Sequence, residues 1–345
     1  MAKLIYVDEQ TEGWHRVRRG KGFSYRAQDG SAIRDAEHLA RIRQLAIPPA
    51  YTDVWICPDP LGHLQATGRD ARGRKQYRYH ALWQEQQKQA KFERMLEFGH
   101  RLPAIRRAVE RDLAQRRPGL ELVAATVVRL LDRTGMRIGN DTYSEQNGSY
   151  GLTTLKNRHA KASADALTLH FKGKSGVMQK VSVVDRRVAR IVQRCPELPG
   201  QRLFQFLDEQ DELQHLRSDH VNDYLRTLGN EDFTAKDFRT WHASVSAMEL
   251  ALQARQANAE AGHLNEPAIA DIVKQVAQRL GNTSAVCRKF YIHPEVLNYC
   301  ARKADEGQRA SRKAGLSAPE CALLQLLDSC QPALGKKPAK ALAPA

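Results

Sequence analysis

The 345-residue sequence contains no uninterrupted apolar run long enough to cross a bilayer, and its N-terminus, MAKLIYVDEQTEGW, has no apolar leader segment. The expectation is a cytoplasmic protein without a membrane anchor. Its six cysteines, Cys57, Cys195, Cys287, Cys300, Cys321 and Cys330, form no C-x-x-C pair and have no histidine at ligand spacing. They read as reduced packing residues. The twelve histidines make neither H-x-x-x-H nor H-E-x-x-H. The acidic run Asp208, Glu209, Asp211, Glu212 has no second carboxylate cluster with which to build a two-metal site, so it reads as a solvated turn. A G-x-x-x-x-G-K-[ST] phosphate loop is absent, and nothing supports ATP use. No cofactor or metal is expected, and no internal repeat is visible.

What the chain has in excess is positive charge. Lys and Arg number 54 against 39 Asp and Glu, a formal net charge of +15. A surface this basic attracts polyanions and gains affinity by releasing their counterions, which makes nucleic acid the favoured partner.

At 42% hydrophobic residues the chain is long enough for two cores. The first ninety or so residues read as short strands and turns. Trp14 to Ile33 breaks at Gly20, Gly22 and Asp29-Gly30, Arg34 to Leu45 is helical, and VWICPDPLGHLQATGRDARGRKQYRYH gives strands about a turn at Pro60 to Gly62. Within it Arg69, Arg72, Arg74, Lys75 and Arg78 are interleaved with Gln76, Tyr77 and Tyr79. Period-two alternation puts both tyrosines on one face. A basic loop leading into such a strand suits duplex DNA, with cations for phosphates and amide or phenol groups for base edges.

From Ala81 the pattern turns helical. One stripe, Trp83, Phe92, Met95, Leu96 and Phe98, is predicted to end at Leu102-Pro103; a second helix covers Ala104 to Arg116 and a third Leu120 to Asp132. Arg137 then sits in a turn bracketed by Gly135 and Gly139, where backbone can approach a ligand. Leu152 to Leu155, Ala166 to Phe171 and Val177 to Val184 read as three strands, with Lys174 at the tip between the last two. Helices follow at Arg186 to Arg194, Gln214 to Leu228, across KDFRTWHA, from Pro267 to Leu280 and at Ala318 to Leu327. Lys236, Arg239 and His242 share one helical face. Asn282, after Gly281 and before the capping hydroxyls of Thr283 and Ser284, opens the segment that carries Arg288, Lys289 and Tyr291. The expected organisation is a domain over 1–88, a second over 89–330 and a disordered tail over 331–345.

Four separated motifs, MRIGNDTYSEQNGSYGLTTLKNRH, LHFKGKSGV, KDFRTWHA and LGNTSAVCRKFYIHP, resemble in this order the type IB DNA topoisomerases, in particular the small poxvirus-like branch found in bacteria. GRDARGRKQYRYH and KFERMLEFGHRLP extend the likeness over nearly the whole chain. The resemblance implies an α+β fold: a β-rich N-terminal domain that clamps DNA, and a mainly α catalytic domain with a small three-stranded antiparallel sheet, the core shared with tyrosine recombinases. It implies a monomer acting on nucleoid DNA, nicking one strand through a 3′-phosphotyrosyl bond and relaxing supercoils of either sign without ATP or metal. It makes Tyr291 the nucleophile, Arg137 and Arg239 the holders of the non-bridging oxygens, and Lys174 the general acid. Tyr143 joins the DNA-contacting residues. Asn282 stands where the poxvirus enzymes carry histidine; an amide can donate to a phosphate oxygen but brings no charge. A tyrosine recombinase and a non-catalytic DNA-binding protein are the competing readings.

Overall fold

A computed structural model of the chain describes residues 3–195, 201–229, 233–260, 268–301 and 312–330. It separates into two compact units, Met1–Lys91 and Phe92–Ala345. The predicted tail over 331–345 and Pro267 lie outside the described residues.

The first unit is built on a five-stranded antiparallel sheet ordered β2-β1-β3-β4-β5. Strands β1 (Trp14–Arg19) and β2 (Gly22–Arg26) form a hairpin; helix α1 (Ala36–Gln44) precedes β3 (Thr52–Ile56), β4 (Leu64–Arg69) and β5 (Lys75–Tyr79). Asp35 caps α1 by accepting from the His38 N–H at 2.9 Å, and Ile42 docks on Trp14, Val54, Ile56 and Ala66 to make the core.

Helix α2 (Ala81–Asp112) corrects two expectations. It runs unbroken through Pro103, where two helices were predicted. The proline removes one backbone donor and costs about 3 kcal/mol. Phe98, Leu102, Ile105 and Val109 recur at helical spacing and are all buried, and each such side chain contributes roughly 1.5–3 kcal/mol. Burial of that stripe outweighs the lost bond. Trp83 is not part of it. Its ring lies edge-on to His63 at 4.8 Å, in the first unit.

Helix α3 (Leu120–Thr134) is the centre of the second unit, with ten of its fifteen residues buried. After it come α4 (Asp141–Asn147), β6 (Ala160–Ala162), β7 (Ala166–Lys172), β8 (Met178–Val184), α5 (Arg186–Arg194), β9 (Gln205–Leu207), β10 (Leu213–His215), α6 (Ser218–Gly229), α7 (Ala235–Glu260), α8 (Ile269–Leu280), α9 (Ser284–Phe290), α10 (Pro294–Ala301) and α11 (Ala318–Cys330). The α+β architecture is the one expected.

The three-stranded antiparallel sheet is ordered β6-β7-β8, but its first strand is Ala160–Ala162. Leu152 to Leu155, expected to be that strand, is a single 3-10 turn with Leu152 and Leu155 fully buried. Threonine hydroxyls hold it. Thr154 Oγ1 accepts from the Gly151 N–H at 2.9 Å, and Thr153 Oγ1 donates to the Ile138 carbonyl at 3.0 Å. Side-chain bonds of this sort compete with a strand ladder.

The predicted helix from Gln214 begins only at Ser218, because residues 205–215 form the β9–β10 hairpin. Asp208 closes its turn by accepting from the Gln210 and Glu212 N–H groups and from Gln214 Nε2 at 2.8–3.0 Å. The acidic run is thus a turn. None of the six cysteines is joined in a disulfide, and among them Cys330 alone is exposed.

Candidate active site

Arg137 is fixed by its backbone before its side chain matters. Helix α3 ends on Gly135 in the left-handed region, and the chain turns back through Gly139 at φ 107°, a conformation that a Cβ would strain. A Cβ there would also lie 2.9 Å from Thr153 Oγ1. The Arg137 carbonyl accepts from the Leu152 N–H at 3.0 Å and that of Ile138 from the Thr153 N–H at 2.7 Å. The segment expected to be a strand is therefore the strap that holds the arginine turn.

Arg239 rises from α7, whose first turn is closed by Asp237: its carboxylate accepts from the Thr234 N–H and hydroxyl at 2.8 and 3.0 Å. Only 6% of Arg239 is exposed. Its guanidinium donates to the Gly135 carbonyl at 2.6 Å and to the Leu280 carbonyl, which ties the end of α3 to the end of α8. Burial first, and repulsion from Arg137 second, pull it down to about 10, against the opposing pull of Tyr291. It stays charged at neutral pH. Arg137 is lowered as well, mainly by burial, with Tyr291 opposing.

Tyr291 is the residue after α9, half-buried, with the Arg239 guanidinium carbon 5.4 Å from its ring centroid. Its backbone is pinned from α7. Ser244, wholly buried, donates its hydroxyl to the Tyr291 carbonyl at 3.3 Å and accepts from the His293 N–H at 2.9 Å. The His293 ring meets Phe92 edge-on at 5.0 Å, and burial depresses its titration to about 4, so it is neutral at pH 7.

Asn282 has its side-chain oxygen on Arg137 Nη2, and its Nδ2 is buried beside the Cys287 thiol. Lys174 is exposed, in the one-turn tip between β7 and β8 where Ser175 adopts φ 64°.

A cavity of about 380 Å³ is lined by Arg137, Tyr143, Lys174, Lys236, Arg239 and Tyr291, among others. Residues far apart in sequence thus surround one space, and four of them, Arg137, Lys174, Lys236 and Arg239, are cationic with no carboxylate among the lining residues. Such a space suits an oxyanion. Lys236 is a cavity residue the sequence reading did not single out as functional, although its place one turn before Arg239 was visible. His242, on the same predicted face, is not in the cavity. Its Nε2 lies against the Asp132 carbonyl, and burial lowers its pKa.

The predicted DNA-contacting residues of the first unit lie together at the end of β4, in the turn that follows it and on β5. Tyr77 and Tyr79 are exposed and parallel, with ring centroids 6.0 Å apart. Arg69 and Arg72 are exposed, Arg69 reaching the Gly73 carbonyl and Asp53. Arg74 and Gln76 both bond Asp70, and Lys75 bonds Glu9. The loop is therefore ordered by internal pairs that a polyanion would have to share.

Residues 80–315 match the family described as eukaryotic DNA topoisomerase I, catalytic core, and residues 22–70 that of bacterial DNA topoisomerase IB, N-terminal domain. The DNA topoisomerase 1B of Acanthamoeba polyphaga mimivirus is 31% identical over 293 residues, 84% of this chain and 86% of that protein. That of Vaccinia virus (strain Copenhagen) is 23% identical over 278 residues, 79% of this chain and 82% of the other. Among solved structures, a XerH site-specific recombinase bound to difH substrate aligns with a TM-score of 0.35 and 12% identity, over 59% of this chain and 52% of that chain.

Proposed function

The chain belongs to the type IB DNA topoisomerases, and on that premise we propose that Tyr291 attacks a backbone phosphorus of duplex DNA within the pocket it shares with Arg137, Arg239 and Lys174. The phenol oxygen bonds to phosphorus, the bond from phosphorus to the 5′ oxygen breaks, and the strand is left with a 3′-phosphotyrosyl end and a free 5′ hydroxyl. Negative charge gathers on the non-bridging oxygens in the transition state, and the two guanidiniums supply countercharge. Lys174 gives its proton to the departing 5′ oxygen, an alkoxide otherwise too basic to leave. The phenolic proton passes to water.

One phosphodiester replaces another, so bond energy is retained and religation requires no ATP. While the strand is open, torsional strain rotates the free end and relaxes supercoils of either sign. Asn282 contributes through its Nδ2, since its oxygen is the end that meets Arg137. Residues 1–88, with Arg69, Arg72, Arg74, Lys75, Gln76, Tyr77 and Tyr79, contact the same duplex, and Tyr143 contacts it from the cavity wall. The enzyme works as a monomer on nucleoid DNA in the cytoplasm.

The observation that carries this reading is the 5.4 Å approach of the Arg239 guanidinium to the Tyr291 ring at a cavity that Arg137 and Lys174 also line. The test is a denaturing gel of the protein mixed with end-labelled duplex. Protein covalently held on a 3′ end supports it; a complex that dissolves entirely on denaturation removes it and leaves a DNA-binding protein.

A further inference from the structure

One side chain touches both residues that immediately precede the candidate acid and the candidate amide donor. Gln179 of β8 pairs in register with Phe171, near the tip that carries Lys174. A Cβ placed on Gly173 would lie 2.9 Å from Gln179 Cγ. A Cβ placed on Gly281 would lie 2.7 Å from Gln179 Nε2 and 3.2 Å from its Oε1. The stem thus fills the space above Gly173 and the amide the space above Gly281. Gly281 is also the left-handed C-cap of α8, φ 59°, where a side chain is strained in any case.

The Gly173 N–H bonds the Val177 carbonyl at 2.8 Å and so closes the tip just before Lys174. On the other side, the Leu280 carbonyl accepts from Arg239, and Asn282 engages Arg137. A narrow space that shares Arg137, Lys174 and Arg239 with the cavity is bounded also by Gly173, Gln179 and Leu280. Lys174 itself is exposed on a one-turn tip whose backbone passes through positive φ at Ser175, so the tip needs an external reference to hold its lysine at one distance from the arginines.

We propose that Gln179 is a positioning residue: a spacer wedged between Gly173 and Gly281 that sets the reach of Lys174 relative to the Tyr291 cluster. This rests on the reading of Lys174 as the general acid. The wedge acts through bulk, so length matters more than the amide. Its effect is exerted through the position of Lys174.

The test is single-turnover cleavage of two duplexes that differ only in the atom leaving from the scissile phosphate, oxygen or sulfur at the bridging 5′ position. Sulfur leaves without a proton, so a defect confined to proton delivery disappears with it. Gln179→Ala is expected to cleave the oxygen substrate at least tenfold more slowly than the parent and the sulfur substrate within threefold of it. Gln179→Met, which keeps the stem, should restore the oxygen rate to within threefold. An equal loss on both substrates, or no loss on oxygen, overturns the spacer. Lys174→Ala, run in parallel, separates the two levels. If sulfur rescues it and Gln179→Ala behaves as stated, both stand. If sulfur does not rescue it, the acid assignment fails and the spacer role with it.

Discussion

Arg137 Nη2 donates to the side-chain oxygen of Asn282, joining two residues 145 positions apart in sequence. An amide has one acceptor end and one donor end, so this contact orients it: the oxygen faces the arginine and the NH2 is directed elsewhere. A neutral imidazole offers one acceptor nitrogen; a protonated imidazole offers none and adds charge beside a guanidinium. Asn282→His should therefore make cleavage pH-dependent. Its single-turnover rate should fall as pH drops below the ordinary histidine range near 6.5, while the parent's profile over pH 5–8 stays nearly flat. Superimposable profiles would remove the orienting role.

Arg239 does two jobs with one fork. It closes the gap between the Gly135 and Leu280 carbonyls and faces the Tyr291 ring. Arg239→Ala should slow cleavage by about 10² to 10³, the scale of losing a donor to a developing oxyanion. Arg239→Lys should recover little of this, because an ammonium cannot span both carbonyls and still present a planar face. A variant of either kind within tenfold of the parent takes Arg239 out of the site.

Arg106 is held between two carboxylates, donating to Asp132 at 2.8 and 2.9 Å and to Glu320 at 2.7 and 3.1 Å, while Trp241 Nε1 donates to Glu320 at 3.1 Å. The pairing ties α11 to α2, α3 and α7, the helix that carries Arg239. Although burial by itself would raise it, Glu320 is held down at about 2, chiefly by Arg106, against an ordinary value of 4.5. A displacement of that size is worth roughly 3 kcal/mol. Because the folded value is the lower one, the contribution is complete above about pH 4.5 and is lost as pH falls toward 2. Glu320→Gln should lower unfolding free energy by about 3 kcal/mol at pH 7, measured in urea, and the gap to the parent should close progressively below pH 4.5. A pH-independent gap would mean that packing rather than charge is responsible.

Gly99 inverts the usual rule for helix interiors. Replacing it with alanine ordinarily gains about 0.5–1 kcal/mol of helix propensity. Here the new methyl would lie 2.5 Å from Trp241 Cη2 and 3.0 Å from Leu324 Cδ1. Overpacking a filled core costs about 1–3 kcal/mol, so Gly99→Ala should destabilise. A raised melting temperature would contradict the packing described for α2, α7 and α11.

Much of this was legible in the sequence, for reasons that differ by element. The bounds of α5, Arg186 to Arg194, follow from its periodicity and from Asp185 as a cap. The tip at Lys174 follows from two apolar strands about a Gly-Lys-Ser-Gly turn. Pro103 misleads because local backbone cost is visible and tertiary burial is not. Leu152 to Leu155 misleads for a related reason: four apolar and β-branched residues fit a strand, and only the fold reveals that Leu152 and Thr153 bond to the Arg137 turn while Thr154 bonds back to Gly151. Likewise, Asn282 could be read as a donor, but its acceptance from Arg137 is a long-range contact that no spacing encodes. Gln179 was invisible for the same reason.

The most direct test of the whole account is plasmid relaxation by Tyr291→Phe, with duplex binding measured on the same preparation. The substitution removes one oxygen from a half-buried ring and leaves the cavity's cations in place. The account predicts unchanged DNA affinity and complete loss of relaxation and of covalent adduct. Relaxation that persists in this variant would contradict it, because the bond to phosphorus would then be made by another group.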